Sequence, residues 1–139
     1  MVTLLDPISI ELEVRAAGSD DSDVWMHGSL VIAINRTRPY SEDEIILADR
    51  FFASLERDGD FQIFSCVCGM PDCAGRPKGI RVHHRKGIVE WTDLDREQSW
   101  RLERVRIDRD LARVRDDVHM FKRFFAGKGI HYVGVGYDW

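Results

Sequence analysis

Every cysteine of the chain falls within the ten residues Cys66-Val67-Cys68-Gly69-Met70-Pro71-Asp72-Cys73-Ala74-Gly75. Thiolates are nucleophiles and soft metal ligands, so this segment carries the richest chemistry in the sequence. If a strand runs through Cys66 and Cys68, their side chains share a face, because side-chain direction in a strand alternates with a period of two. The Gly/Pro turn from Gly69 to Asp72 would then swing Cys73 back toward them and close a three-thiolate claw.

Three uses of such a claw differ in what else they need. A structural zinc site takes four donors in a tetrahedron, so Cys66, Cys68 and Cys73 need a fourth ligand. His83 or His84 is best placed, since the segment starting near Ile80 leaves the same turn. Asp72 is a weaker choice, and His27, His119 and His131 are further candidates. A nucleophilic cysteine needs a cation or imidazole to lower its pKa and a base within reach. Arg76, Lys78, His83 and His84 are near in sequence, but there is no Cys-x-x-Cys pair of the thioredoxin type. Against both stands simple packing, because cysteine is a small hydrophobe that is commonly buried. An odd count of three in a reducing compartment favours thiols or metal ligands over disulfides.

The spacing Cys-x-Cys-x4-Cys at Cys66, Cys68 and Cys73 resembles the zinc-binding tail that follows the SET domain of protein lysine methyltransferases. That resemblance implies ligand roles for the three cysteines over about ten residues. It does not extend to methyl transfer, because Asn35 is the only asparagine and precedes Arg36, and no fourth cysteine exists. The longer stretch from Phe61 to Trp91, with its Cys-x-Cys-Gly-x3-Cys-Ala-Gly core, is similar to a group of small uncharacterised bacterial proteins. This similarity implies a cytoplasmic bacterial origin and no particular activity.

The composition narrows the classes. A chain of 139 residues with 44% hydrophobic and 32% charged residues suits one globular domain, 1–139, that buries a core without needing a metal to fold. A net charge of −4 argues against broad binding to nucleic acid, whose phosphates ask for a basic surface. The start Met1-Val2-Thr3-Leu4-Leu5-Asp6-Pro7 lacks the features of a secretory signal, so a cytoplasmic location is expected. No apolar run is long enough to span a bilayer, so no membrane partner is expected.

The elements that must position the cysteines follow from periodicity. Ile8, Ile10, Leu12 and Val14 alternate with polar residues as a half-buried strand, and Trp25 to Ile34 forms a second strand that turns apolar on both faces at Leu30 to Ile34. The two are expected to pair antiparallel across a loop from Ala16 to Asp23. Ser41 and Glu44 resemble a capping box opening a helix of about four turns that Asp58-Gly59 stops. Phe61, Ile63 and Phe64 lead as a short strand into Cys66 and Cys68. Ile80 to His84 and Ile88 to Thr92 flank a glycine turn as a hairpin. Trp100 to Ile107 reads as a further strand, with Asp108 as N-cap of a helix carrying Leu111, Val114, Val118, Phe121 and Phe125 until Gly127. The tail from Ile130 to Trp139 is either an edge strand or a docked extension. The class is α+β, mainly antiparallel sheet with two amphipathic helices packed on one face.

Two charged groups read as solvated surface. Arg101 to Arg115 mixes six arginines with acids, as an ion-paired face does, and His83-His84 with Arg81, Arg85 and Lys86 forms a small basic patch. With no complete catalytic signature, the sequence points to a small non-catalytic binding or regulatory protein with a candidate protein partner and a zinc site as its cofactor. The alternative is a small thiol- or metal-dependent enzyme using Cys66, Cys68 and Cys73.

Overall fold

The computed structural model describes residues 4–18, 20, 23–68 and 75–139. Cys73, Asp72 and the turn expected at 69–72 lie outside the described residues, as does most of the acidic loop expected before Asp23. Mixed α and β structure with mainly antiparallel pairing is what forms, in three sheets.

Strands β1 (Ile8–Gly18) and β2 (Val24–Ile34) form the expected antiparallel pair, with Ile10 opposite Ile32 and Leu12 opposite Leu30. Both are longer than their alternation suggested, and residues 16–18 belong to the strand rather than to the loop. Alternation decides the faces: Leu30, Ile32 and Ile34 are buried, while Ser29, Val31 and Ala33 are half-buried on the other side. Next come the short strand β3 (Glu44–Ile46) and the short helix α1 (Ala48–Ser54). Strands β4 (Gly59–Phe61) and β5 (Phe64–Cys66) follow, the latter paired antiparallel with β3. The expected hairpin is β6 (Ile80–Arg85) with β7 (Ile88–Asp93), flanked by β4 on one side and β8 (Gln98–Glu103) on the other. Helix α2 (Arg104–Ala126) and strand β9 (Tyr132–Gly134) complete the chain.

Two expectations about helix starts are corrected. The Ser41–Glu44 box is formed, since Ser41 gives its N–H and its hydroxyl to the Glu44 carboxylate, each at 2.9 Å. No helix follows it, because Glu44 and Ile46 pair with Cys66 and Phe64 as β3, and α1 begins only at Ala48 with seven residues. Pairing with a neighbouring strand outweighs a local capping preference. At the other end, α2 starts at Arg104, with Glu103 rather than Asp108 as its N-cap residue. Ile107 is buried in helical phase with Val114 and Val118, so the strand ends four residues before the alternation seemed to.

The helices take different strands. α2 packs along β1 and also touches β8 and β9, whereas α1 contacts β4. One hydrophobic cluster joins all three sheets, running from Ile10 and Ile32 through Phe51 and Phe64 to Trp91, Leu102 and Val118. No described helix is long and apolar enough to cross a membrane.

The C-terminal tail combines both forms expected of it. β9 runs parallel to β2 at Met26 to Gly28, and Trp139 then docks against Tyr137 and Phe52 with ring centroids 4.8 and 5.4 Å apart. Gly28 permits this close approach, for a Cβ there would overlap the Tyr132 hydroxyl. The Tyr132 and Tyr137 hydroxyls meet at 2.6 Å above it. Gly136, with φ of +81°, turns the chain away from β2 just past β9.

Candidate functional site

Cys66 ends β5 opposite Glu44 of β3, and its sulfur is bonded to that of Cys68 across an exposed Val67. The strand expected to run through both stops at Cys66, and Val67 and Cys68 form a turn that brings the two Cα atoms to 5.3 Å, closer than the roughly 6.5 Å of residues two apart in a strand. They meet as a disulfide, whereas the odd cysteine count favoured free thiols or metal ligands. A disulfide sulfur is not a thiolate ligand, so this bond and a zinc site on the same pair are alternative states.

The histidines expected beside the claw sit in a different sheet. His83 Nδ1 meets the Asp58 carboxylate at 2.9 Å, the His84 backbone N–H donates to Asp58 at 2.8 Å, and the His84 Nε2–H donates to the Ser54 carbonyl at 2.8 Å. One carboxylate thus gathers both residues at the start of β4. The His84 amide, outweighing the opposing burial, and the His83 ring hold the Asp58 carboxyl below the usual carboxylate range. His27 accepts the Trp25 indole N–H at 2.6 Å. Among the described residues no group of three His, Cys, Asp or Glu side chains is gathered as a metal site. The basic patch is largely compensated, with Arg81 on Asp60 at 2.9 Å and Arg85 on Glu90 at 3.0 Å.

Beneath the cysteine corner lies an ion cluster that sequence reasoning missed. Arg76 is 1% exposed. Its Nε–H donates to Glu44, one terminal nitrogen donates to Asp93 at 2.7 Å, and the other donates to the Pro39 carbonyl at 2.9 Å. The guanidinium also lies over the Phe64 ring, 5.1 Å from its centroid. Arg96 adds a second cation on Glu44 at 2.8 Å. Asp93 is tied by the backbone N–H groups of Asp95 and Arg96, both at 3.1 Å. Burial works against the charge of Glu44, but hydrogen bonds from Ser41 and Arg76 overcome it and hold its pKa below the usual range. The cluster therefore fastens both ends of the cysteine segment, β5 through its partner Glu44 and the returning chain through Arg76. A signal for it existed: Asp93 is in phase with the buried Val89 and Trp91 of β7, and Glu44 is in phase with the buried Ile46. A carboxylate on the core face of a strand requires a buried cation.

A cleft of about 690 Å³ adjoins this corner, bordered by Ser29, Leu30 and Val31 of β2, by β3, and by Tyr40 and Val67. Its rim carries Glu13, Arg15, His27, Arg38, Glu42 and Asp43. Glu13 pairs with Arg15 at 2.6 Å and with Arg38 at 3.5 Å, whereas the exposed Glu42 and Asp43 form no ion pair among the described residues. Burial pushes the Tyr40 phenol up, and its ring stacks on Phe64 at 5.1 Å.

The backbone along this cleft is partly unpaired. Ile10 gives its N–H to Asp110 at 2.9 Å and accepts from Arg113 at 2.8 Å, so Ile10 and Ile32 are a non-hydrogen-bonded pair. Even-numbered residues of β2 therefore turn their N–H and C=O groups away from β1, toward the other edge. There Met26 donates to His131 at 2.8 Å, and Gly28 accepts from Val135 at 3.0 Å. Further along, Ile32 donates to the Tyr40 hydroxyl at 3.4 Å, and Ile34 exchanges bonds with Thr37 at 2.9 and 3.0 Å. Leu30, between them, has no partner for its outward N–H and C=O among the described residues. On β3, Leu47 donates to Ile63 of the β5 side at 2.7 Å, so Ile46 turns its own backbone groups the other way.

Known protein families, curated proteins and solved structures offer no match to this chain, so the reading of its site rests on the geometry above.

Proposed function

We propose that the protein works by binding, as a small non-catalytic interaction or regulatory module whose contact surface is the cleft beside β2 and the cysteine corner. The observation that carries this reading is the backbone of Leu30, without a hydrogen-bond partner among the described residues, on a cleft whose exposed acids Glu42 and Asp43 form no ion pair among them. Unpaired backbone groups on a strand edge are a template for a further strand, so such an edge favours an occupant that pairs with it. The cleft is also within the roughly 300 to 1,000 Å³ of ordinary binding sites. Panning a displayed random-peptide library against the purified protein tests the reading. Enriched peptides should lose binding when Ser29 is replaced by Arg in the cleft wall. Enrichment of nothing, or of peptides indifferent to Ser29→Arg, overturns it.

The bond between Cys66 and Cys68 supports a second reading, a thiol-dependent activity or a zinc site that forms on reduction. Reduced Cys66, Cys68 and Cys73 would supply three thiolates, with His83 or His84 as fourth ligand after leaving Asp58 or Ser54. Elemental analysis of protein purified under reductant, without chelator or metal-affinity tag, separates the two states. About one zinc per chain supports the metal site. No zinc, with slow and uniform alkylation of the cysteines, removes both the metal and the reactive thiol.

A further inference from the structure

The geometry points to an extended basic peptide as the occupant of the cleft, added as a strand along β2 in the lane that β9 vacates. The inference rests on the binding reading and specifies its mode and partner. β9 covers β2 only from Met26 to Gly28, then turns away at Gly136. Two neighbouring positions are closed, Ile10 of β1 by Asp110 and Arg113 and Ile34 of β2 by Thr37. Leu30 is left with a donor and an acceptor facing outward, which is the pattern that one residue of an added strand satisfies with two hydrogen bonds. On β3, which also borders the cleft, Ile46 turns its backbone away from β5 and has no hydrogen-bond partner for it among the described residues. Open strand edges are usually blunted, and one left inside a cleft suits strand addition.

Charge selects the sequence of the occupant. Arg15 and Arg38 together outweigh Glu13 by one positive charge, so the rim keeps one net negative charge, carried on the side of Glu42 and Asp43, which form no ion pair among the described residues. Lys or Arg at alternate positions of the peptide would face these acids, with apolar residues between them against Val31 and Val67.

Two synthetic libraries of roughly nine residues test this, a length of about 30 Å when extended. One has Lys at every second position and Val, Ile, Leu, Phe or Tyr between; the other has Glu in place of Lys. The Lys library should bind at least about tenfold tighter and slow hydrogen exchange of the Leu30 amide. N-methylation of its best peptide at the edge-facing amides should weaken binding about tenfold or more, since side chains are kept and backbone bonds lost. Glu42→Lys with Asp43→Lys, both on the surface, should reverse the library preference. Binding that survives N-methylation, or leaves Leu30 exchange unchanged, overturns strand addition while the binding reading stands. Equal binding of both libraries overturns the basic partner. Failure of both libraries, with no enriched peptide in the panning experiment, overturns the binding reading itself.

Discussion

Replacing Arg76 with Met keeps an apolar chain in place and removes the guanidinium from the buried cluster. Three acceptors lose a donor, namely Glu44, Asp93 and the Pro39 carbonyl. Glu44 keeps Arg96 and the two Ser41 donors, whereas Asp93 keeps two backbone amides and loses its only cationic partner among the described residues. Removing one partner of a buried ion pair costs about 3–5 kcal/mol, and the remaining donors favour the middle of that range, about 4 kcal/mol. At about 2.1 cal/mol/K per residue, the unfolding entropy of 139 residues is about 290 cal/mol/K, so the melting temperature should fall by about 14 °C. Arg96→Met is the internal control, because that side chain is 41% exposed and makes one contact to Glu44, worth about 1 kcal/mol or less. Urea denaturation followed by tryptophan fluorescence measures both, with an unchanged slope showing that stability alone has moved. Asp93→Asn should also destabilise, and the double variant with Arg76→Met should lose about 1–2 kcal/mol less than the sum. A loss below about 1 kcal/mol for Arg76→Met, or an equal loss for Arg96→Met, refutes the assignment of Arg76 as the pin of this corner.

Reduction of the Cys66–Cys68 bond in a Cys73→Ser background should lower stability by only about 1.6 kcal/mol, since so short a loop restrains the unfolded chain little; a thermal-melt loss above about 3 kcal/mol would show a larger structural role. Glu44 has a folded pKa below its unfolded one, so its contribution is present above the usual carboxylate range and disappears as pH falls through the folded value. Melting temperature should therefore drop on acidification below about pH 4.5, and Glu44→Gln should be less stable at neutral pH with a shallower acid limb. An identical acid limb in that variant removes Glu44 from the account. Gly28→Ala should cost about 1–3 kcal/mol, because the methyl group displaces Tyr132 and Tyr137 and loosens β9; circular dichroism melts giving no loss would show that β9 is not held as described.

The sequence by itself determined those elements whose hydrophobic period is unambiguous. Alternation at Ile8 to Val14, the two β-branched segments Ile80 to His84 and Ile88 to Thr92, and the spacing of Val114, Val118 and their neighbours each specify one element, and the structure contains all of them. Cys66 and Cys68 do meet, but through a turn after β5 rather than through strand alternation. Where a local preference competes with a distant pairing, sequence reading chose wrongly, as at Ser41 to Glu44, because pairing with β5 joins residues about twenty apart and leaves no local trace. Only the tertiary structure decided what surrounds the cysteines. It set Glu44, Arg76 and the Asp93–Arg96 turn together from three distant segments, sent His83 and His84 to Asp58, and stopped β9 short of Leu30. The apolar run of Leu30 to Ile34 announced a strand covered on both faces, yet whether its edge would be filled by the chain or left for another depended on where Gly136 turned the tail away. Periodicity records which face of a strand avoids water, while its edge is backbone, common to every residue, and so is invisible until the neighbouring strands are in place.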